Sequence, residues 1–480
     1  MNDVLVATAD IHAGTGVPLE TTLFFAALLV GLISCLAFED KIHAKKSIIA
    51  GVFALSSLFL ANVFHLYEYV DHKSLIMLPP FDSGQGHIVE LPVYIPAIDW
   101  SVIALIFGAS LFIDITSKSG LFTWIAVKLT KASKGDPRRL LWFYGLMTVA
   151  FSAVLNNVTA MIIVGSLTGV SLRKLGRVNL MLGFLLIEAL LTNIGGLLTL
   201  ISSVPNIIVG NAAGISFVTF FVKAAPFVAV ATVGTIMLGA RMFSITNLVD
   251  IEEKKEAELL VGGFDENDGI ESNSFFWFGA IMLLLFILTI ATTSVLPVVQ
   301  DLGMSFVALA FATIMLVRYK ATVDQFYRAI DWDLLGFFAA LFIVINVMEH
   351  AQVLDLIGIG LAKVISLNDT VGHGAGTGVI LVSSAVFSSV TDNIPLSAML
   401  AKILQAQGTV STDPLWWSVV FGANLGGNLT PIGSASTLVA VTIIHKNDLA
   451  MSFMRFVKLA FPFAALQIAL ATAYVLLFLQ

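Results

Sequence analysis

Phe151-Ser152-Ala153-Val154-Leu155-Asn156-Asn157-Val158 sets two adjacent asparagines inside an apolar stretch, and the pattern returns as Phe387-Ser388-Ser389-Val390-Thr391-Asp392-Asn393-Ile394. Two further stretches recur in the same order. Ala97-Ile98-Asp99-Trp100 comes back as Ala329-Ile330-Asp331-Trp332, and Thr192-Asn193-Ile194-Gly195-Gly196-Leu197-Leu198-Thr199 as Ala423-Asn424-Leu425-Gly426-Gly427-Asn428-Leu429-Thr430. Three blocks at nearly one offset mark an internal repeat.

The sequence around these blocks is that of a membrane protein. Of 480 residues, 58% are hydrophobic and 12% charged, whereas a soluble domain carries about 25% charged residues. Apolar runs such as 22–38, 48–66, 276–296 and 459–479 approach the roughly 20 residues that cross a bilayer core as a helix. Short alternating β-barrel segments are absent, so helices must satisfy the backbone. The single cysteine, Cys35, lies inside the first run and reads as a small hydrophobe, with no disulfide framework. The polar, acidic N-terminus lacks the basic region of a cleaved signal and reads as an extramembrane tail.

Loop charges predict the topology, because short loops rich in Lys and Arg stay on the cytoplasmic side. Lys41, Lys45 and Lys46 place the first loop inside; Glu68, Asp71, Asp82 and Glu90 mark an external loop. Lys128, Lys131, Lys134, Arg138 and Arg139 are inside again, yet the next apolar segment, 140–172, ends in Arg173, Lys174 and Arg177. With both ends inside, it should enter and return as a re-entrant hairpin with Asn156 and Asn157 at its tip. A second hairpin, 374–404, carries Asp392-Asn393 and enters from outside. The first Ala-Ile-Asp-Trp copy follows an external loop and the second a basic internal one, so the halves are inverted. The reading is an all-α polytopic protein of about ten full spans plus two hairpins, with both termini outside. Residues 1–96 form the tail, two spans and external loop, 97–249 the first repeat, and 250–273 a charged cytoplasmic linker. Residues 274–328 connect to the second repeat, 329–480.

Inverted repeats with broken helices meeting at the bilayer midplane are a transporter architecture. Asn, Gly-Gly and Thr once in each half unwind a helix and expose carbonyls and half-helix ends, which hold ions without net charge. Asp392 is the asymmetric position, since its counterpart is the neutral Asn156. An intramembrane carboxylate is costly and marks function by default, so Asp392 is expected to bind a cation, carry a proton, or alternate between them. Glu188, inside its span shortly before Asn193, is the second coupling candidate. Asp114 ranks lower because Lys118 stands near it; Glu349, His350 and His373 read as interfacial or loop residues.

Asn157-Val158-Thr159, Asn193-Ile194-Gly195-Gly196, Val204-Pro205-Asn206-Ile207-Ile208 and Ala213-Gly214-Ile215-Ser216-Phe217 resemble the first half of the P-protein/ArsB permease family. Asp392-Asn393-Ile394-Pro395, 422–427 and Pro431-Ile432-Gly433-Ser434 fit its second half. That family belongs to the ion transporter superfamily, with NhaD sodium/proton antiporters and citrate and dicarboxylate carriers as relatives. The resemblance implies an elevator-type homodimer with a scaffold and a moving transport domain. Carried over, the site comprises Asn156, Asn157, Thr159, Asn193, Gly195, Gly196 and Thr199, with Asp392, Asn393, Pro395, Asn424, Gly426, Gly427 and Thr430. Two departures weaken a scheme with two carboxylates. Asn156 stands where members often have Asp, and Ser202-Ser203-Val204-Pro205-Asn206 stands where many read Gly-Asp-Pro-Pro-Asn.

The expected function is secondary transport of a small inorganic ion, foremost sodium/proton antiport coupled through Asp392. Arsenite export and citrate or dicarboxylate transport are alternatives within the superfamily, and an ion channel is the rival of another class. No organic cofactor is expected, only a coupling sodium ion or proton at the same motifs. The lipid bilayer is the expected surrounding, the cell's inner membrane the expected location, and nucleic acid no partner. HExxH, GxSxG and GxxxxGK[ST] are absent, which speaks against an intramembrane enzyme and against nucleotide hydrolysis by this chain.

Overall fold

The computed structural model describes residues 17–69, 76–77, 88–89, 95–320, 323–367, 374–391 and 393–479. Apart from pieces of one or two turns, its helices are α1 (Leu19–Ala37), α2 (Lys46–Val63), α3 (Trp100–Ser117), α4 (Leu121–Ala132), α5 (Pro137–Ser152), α6 (Asn157–Lys174), α7 (Met181–Gly195), α8 (Val204–Ala213) and α9 (Phe217–Met242). There follow α10 (Ile251–Gly262), α11 (Asn273–Thr292), α12 (Val299–Arg318), α13 (Trp332–His350), α14 (Val353–Ile365), α15 (Ala375–Val390), α16 (Asn393–Ala406), α17 (Pro414–Gly426), α18 (Ala435–Lys446) and α19 (Phe453–Phe478). A two-residue ladder pairs Ile76–Met77 with Ile88–Val89.

Among the described residues, nine helices are long and apolar enough to cross a membrane, against about ten expected. After Pro414 the chain forms two short helices of 13 and 12 residues, α17 and α18, broken at the second Asn, Gly-Gly and Thr motif as expected. The Ala-Ile-Asp-Trp repeat turns out to be a helix start. Asp99 Oδ1 accepts from the N–H groups of Ser101 and Val102, both at 3.1 Å, ahead of α3. Asp331 Oδ1 accepts from Leu334 N–H at 3.0 Å ahead of α13. Each aspartate satisfies donors that a helix N-terminus leaves open.

The repeat extends further than its three blocks. α9 and α19 are both 26 residues long, and each carries a proline inside, Pro226 and Pro462. Each opens on a serine, Ser216 or Ser452, whose hydroxyl accepts from a backbone N–H three residues on.

The chain divides into two compact units, one of residues 1–103, 331–366 and 398–408, the other of residues 104–330, 367–397 and 409–480. In the first, α2 packs on α13, and Ser47 Oγ donates to Asp333 Oδ1 at 2.5 Å. In the second, α7 and α17 are the innermost helices. Every residue of α17 from Leu415 to Gly426 is buried, and α7 is buried on nearly all sides, as expected for helices apolar all round. α7 packs against α5, α6, α9 and α18, and α17 against α8, α15 and α19.

The hairpin expected over 140–172 is the antiparallel pair α5 and α6, broken between Ser152 and Asn157. Both its ends lie at the linker helix α10, where Glu258 pairs with Lys134 at 3.1 Å and Glu253 with Arg177. Beyond α10, Glu266 pairs with Lys128 at 2.6 Å and with Lys131. Those two lysines, Lys128 foremost, hold the Glu266 carboxyl down to about 2. The segment expected as the second hairpin breaks between Val390 and Asn393.

Candidate functional site

Four helix breaks lie in the second unit: α5/α6, α7/α8, α15/α16 and α17/α18. The repeated glycines explain how the pieces meet. A Cβ on Gly195 would stand 2.6 Å from Val149 O and 2.9 Å from Ser152 Cβ. On Gly426 it would stand 2.2 Å from Ala385 O and 2.8 Å from Ser388 Cβ. At both places the broken helix presses its backbone on the helix two before it, α7 on α5 and α17 on α15, a contact open only to glycine.

Matched positions then make matched hydrogen bonds. Ser152 Oγ donates to Thr192 O at 2.6 Å, and Ser388 Oγ to Ala423 O at 2.5 Å. Thr199 Oγ1 donates to Ala153 O at 2.6 Å, and Thr430 Oγ1 to Ser389 O at 2.5 Å. The third pair crosses between the halves. Ser203 Oγ donates to Asn424 Oδ1 at 2.6 Å, while Ser434 Oγ donates to Asn193 Oδ1 at 2.9 Å.

Around Asn193 the bonds run on. Asn193 Oδ1 also accepts from Asn157 Nδ2 at 3.1 Å, and Asn193 Nδ2 donates to Asn428 Oδ1 at 2.8 Å. Asn428 donates to Gln467 Oε1 at 2.7 Å, and Gln467 to Thr235 Oγ1 at 3.0 Å. Asn424 Nδ2 donates to Asn206 Oδ1 at 2.9 Å, and Asn206 to the carbonyls of Gly196 and Thr199 at 2.7 and 2.9 Å. Asn193 and Asn424 are 2% and 1% exposed. Groups this deep must find partners or cost stability, and these are nearly all satisfied by neutral neighbours.

Ser203 and Ser434 are the N-caps of α8 and α18, yet neither hydroxyl caps a backbone N–H of its own helix, Ser434 Oγ meeting there only the Ser436 hydroxyl at 3.0 Å. Their hydroxyls go to the asparagine of the opposite half. The N-termini of two half-helices therefore lack a cap from their N-cap side chains beside the network, α8 offering one N–H fewer because Pro205 stands in its first turn, and a helix N-terminus favours negative charge.

The expected residues are distributed as follows. Asn157, Asn193, Gly196, Thr199, Asn424 and Thr430 belong to the bonded network or its immediate backbone, with Gly195, Gly426 and Gly427 at the close approaches. Asn156 is exposed and serves as the cap of α6, its Oδ1 accepting from Thr159 N–H at 2.8 Å. Asn393 opens α16, with Pro395 buried in its first turn. Asp392 lies outside the described residues, as does His373. Glu188 is fully buried in α7; Thr168 Oγ1 donates to its Oε1 at 2.6 Å, while Oε2 has no hydrogen-bond partner among the described residues.

The sequence reading missed Ser203, Ser434, Asn206, Asn428 and Gln467. Ser203 and Ser434 were findable, because they occupy matching places in the extended repeat. Gln467 offered only its polarity within an apolar helix. Among the described residues no group of three His, Cys, Asp or Glu side chains is placed to hold a metal.

A charge-free, buried polar network at helix breaks inside a many-span apolar bundle defines an integral membrane transporter. The chain belongs to the CitMHS citrate transporter family, whose profile matches residues 74–422. It is a secondary transporter of this family and not an enzyme. An uncharacterized transporter of Mycobacterium tuberculosis is 30% identical over 84% of this chain and 93% of its own length. The mouse P protein is 24% identical over 98% of this chain, which spans 62% of that protein. Two solved structures share the fold. MtrF of Neisseria gonorrhoeae, one of a class of antimetabolite efflux pumps, has a TM-score of 0.55 at 12% identity, covering 91% of this chain and 95% of its own. The YdaH transporter of Alcanivorax borkumensis has 0.53 at 14%, covering 90% and 98%.

Proposed function

We propose that the protein is a cation-coupled carrier of a small organic carboxylate. The observation that carries this reading is the pair of helix N-termini at α8 and α18 left uncapped by Ser203 and Ser434, beside a network in which no Lys or Arg takes part among the described residues. Backbone N–H groups take the place of cationic side chains there and favour the negative charge of a carboxylate. The family match, to citrate transporters, agrees with that substrate class. Coupling falls to Asp392, with Glu188 as a second proton-carrying candidate. In this proposal the halves are inverted repeats, the cycle is an elevator motion, the unit is a homodimer in the inner membrane, and both termini are outside.

Sodium/proton antiport is the second reading. It is favoured by the motifs themselves, whose one carboxylate, Asp392, has the neutral Asn156 as its counterpart in the sequence repeat. Both readings are tested in proteoliposomes containing a pH-sensitive dye, with citrate, succinate, arsenite, sodium, lithium and potassium added in turn. Carboxylate uptake that depends on a sodium or proton gradient, and that Asp392→Asn uncouples, supports the carrier. A proton flux evoked by cations alone, with every carboxylate inert, moves the protein to antiport.

A further inference from the structure

α6 and α18 share more than a start at the network. Both run from it to basic ends, Arg173 and Lys174 on α6, His445 and Lys446 on α18. Between them lies a groove of about 400 Å³, within the size range of small-molecule sites. On α6 it is lined by a stripe at helical spacing from Ile162 through Gly165, Ser166 and Gly169 to Arg173. On α18 it is lined from Val439 through Thr442 to Lys446, with Asn447 beyond. At a rise of about 1.5 Å per residue, its inner end lies roughly 8 Å from the first residue of α6 and its mouth roughly 24 Å from it.

Among the described residues no acidic side chain lines the groove, and two cations stand at its mouth. Arg173 donates to Asn447 Oδ1 at 2.6 Å, which fixes its guanidinium beside the opening. Of the neighbouring basic residues, Arg177 is engaged by Glu253, and Lys174 lies over the Phe264 ring at 3.9 Å. Arg173 and Lys446 have no ion-pair partner among the described residues. Gly169 keeps the groove's wall low, since a Cβ there would meet nothing closer than Asn447 at 3.6 Å.

We propose that this groove is an anion-selecting station for the carried carboxylate, with Arg173 and Lys446 binding it before it reaches the helix N-termini. The inference rests on the carboxylate-carrier reading and adds to it the site that recruits the substrate. Charges at the rim raise local substrate concentration and are screened by salt, whereas the network sets what is carried.

The test uses the full chain with its single cysteine removed, Cys35→Ser, and Ser166→Cys introduced as a reporter on the groove. Maleimide labelling is followed in phosphatidylcholine nanodiscs with and without citrate, and in discs that also contain phosphatidylglycerol. Citrate is expected to slow labelling about fivefold or more, and Arg173→Gln with Lys446→Gln to abolish that protection. In transport, the double variant is expected to raise KM about tenfold at low salt, with kcat kept and the difference shrinking as salt rises. Labelling unaffected by citrate overturns the proposal, as does protection supplied by phosphatidylglycerol alone, which makes the groove a lipid site. Failure of the unmodified protein to carry any carboxylate overturns the function, while intact uptake with KM unchanged in the double variant overturns the groove alone.

Discussion

Gly426→Ala tests how the breaks are built. An added methyl at Gly426 meets Ala385 O at 2.2 Å and Ala385 C at 2.9 Å. Ordinary carbon–oxygen contact needs about 3.3 Å, so α17 must move roughly 1 Å away from α15, against backbone that has no rotamer to yield. Overpacking of this kind costs about 1–3 kcal/mol. The same shift pulls on the bond of Ser388 to Ala423 O at 2.5 Å and on that of Ser203 to Asn424 at 2.6 Å. The assay is a thermal melt of detergent-purified protein beside substrate uptake in proteoliposomes. Gly234→Ala serves as the control, because its Cβ would make ordinary contacts with Leu466 Cδ2 at 3.5 Å and Leu470 Cδ1 at 3.8 Å on an unbroken helix. That change is expected to be neutral or to stabilise by up to about 1 kcal/mol. Gly426→Ala is expected to melt several degrees lower and lose most uptake, as is Gly195→Ala for the matching reason. A Gly426→Ala protein that melts and transports like the Gly234→Ala control refutes the close-approach argument.

Two further outcomes follow from buried and clasped carboxyls. Glu188→Gln keeps an acceptor for Thr168, so it is expected to fold normally while uptake driven by a proton gradient falls at least tenfold; undiminished coupling in a folded variant removes Glu188 from the proton path. Glu266 is held low by Lys128 and Lys131, and a depressed carboxyl contributes stability above its unfolded pKa that is lost as pH falls through its folded one. Pepsin cleavage around 263–272 is therefore expected to rise between about pH 4.5 and pH 2 in the native protein, and to be already high at pH 4.5 in Glu266→Gln. Equal cleavage of the two proteins at pH 4.5 counts against the clasp.

Much of this was legible in the sequence because the fold repeats itself. Asn193 and Asn424 stand out as polar residues in apolar runs, and the Gly pairs beside them mark where helices stop. What was not legible depends on contacts far apart in the chain. Ser203 looks like an ordinary N-cap, and only the folded chain shows its hydroxyl bonded to Asn424 in the other half. Asn428 occupies the position of Leu197 in the repeat, so the likeness of the halves hid it. The break between α17 and α18 was legible from Asn424, Gly426, Gly427 and Thr430, although the apolar sequence on both sides satisfies a hydropathy reading whether the helix is whole or broken. Each compact unit draws on three separate stretches, an assembly that no local periodicity encodes.

The most direct test of the carboxylate-carrier reading is counterflow. Liposomes bearing the purified protein are loaded with unlabelled citrate and diluted into trace labelled citrate, under a sodium or a proton gradient. A carrier whose site is the paired motifs predicts transient accumulation of label above equilibrium, saturable and lost in Asn424→Ala. The absence of any overshoot with citrate and succinate, in protein that answers sodium with a proton flux, contradicts the account.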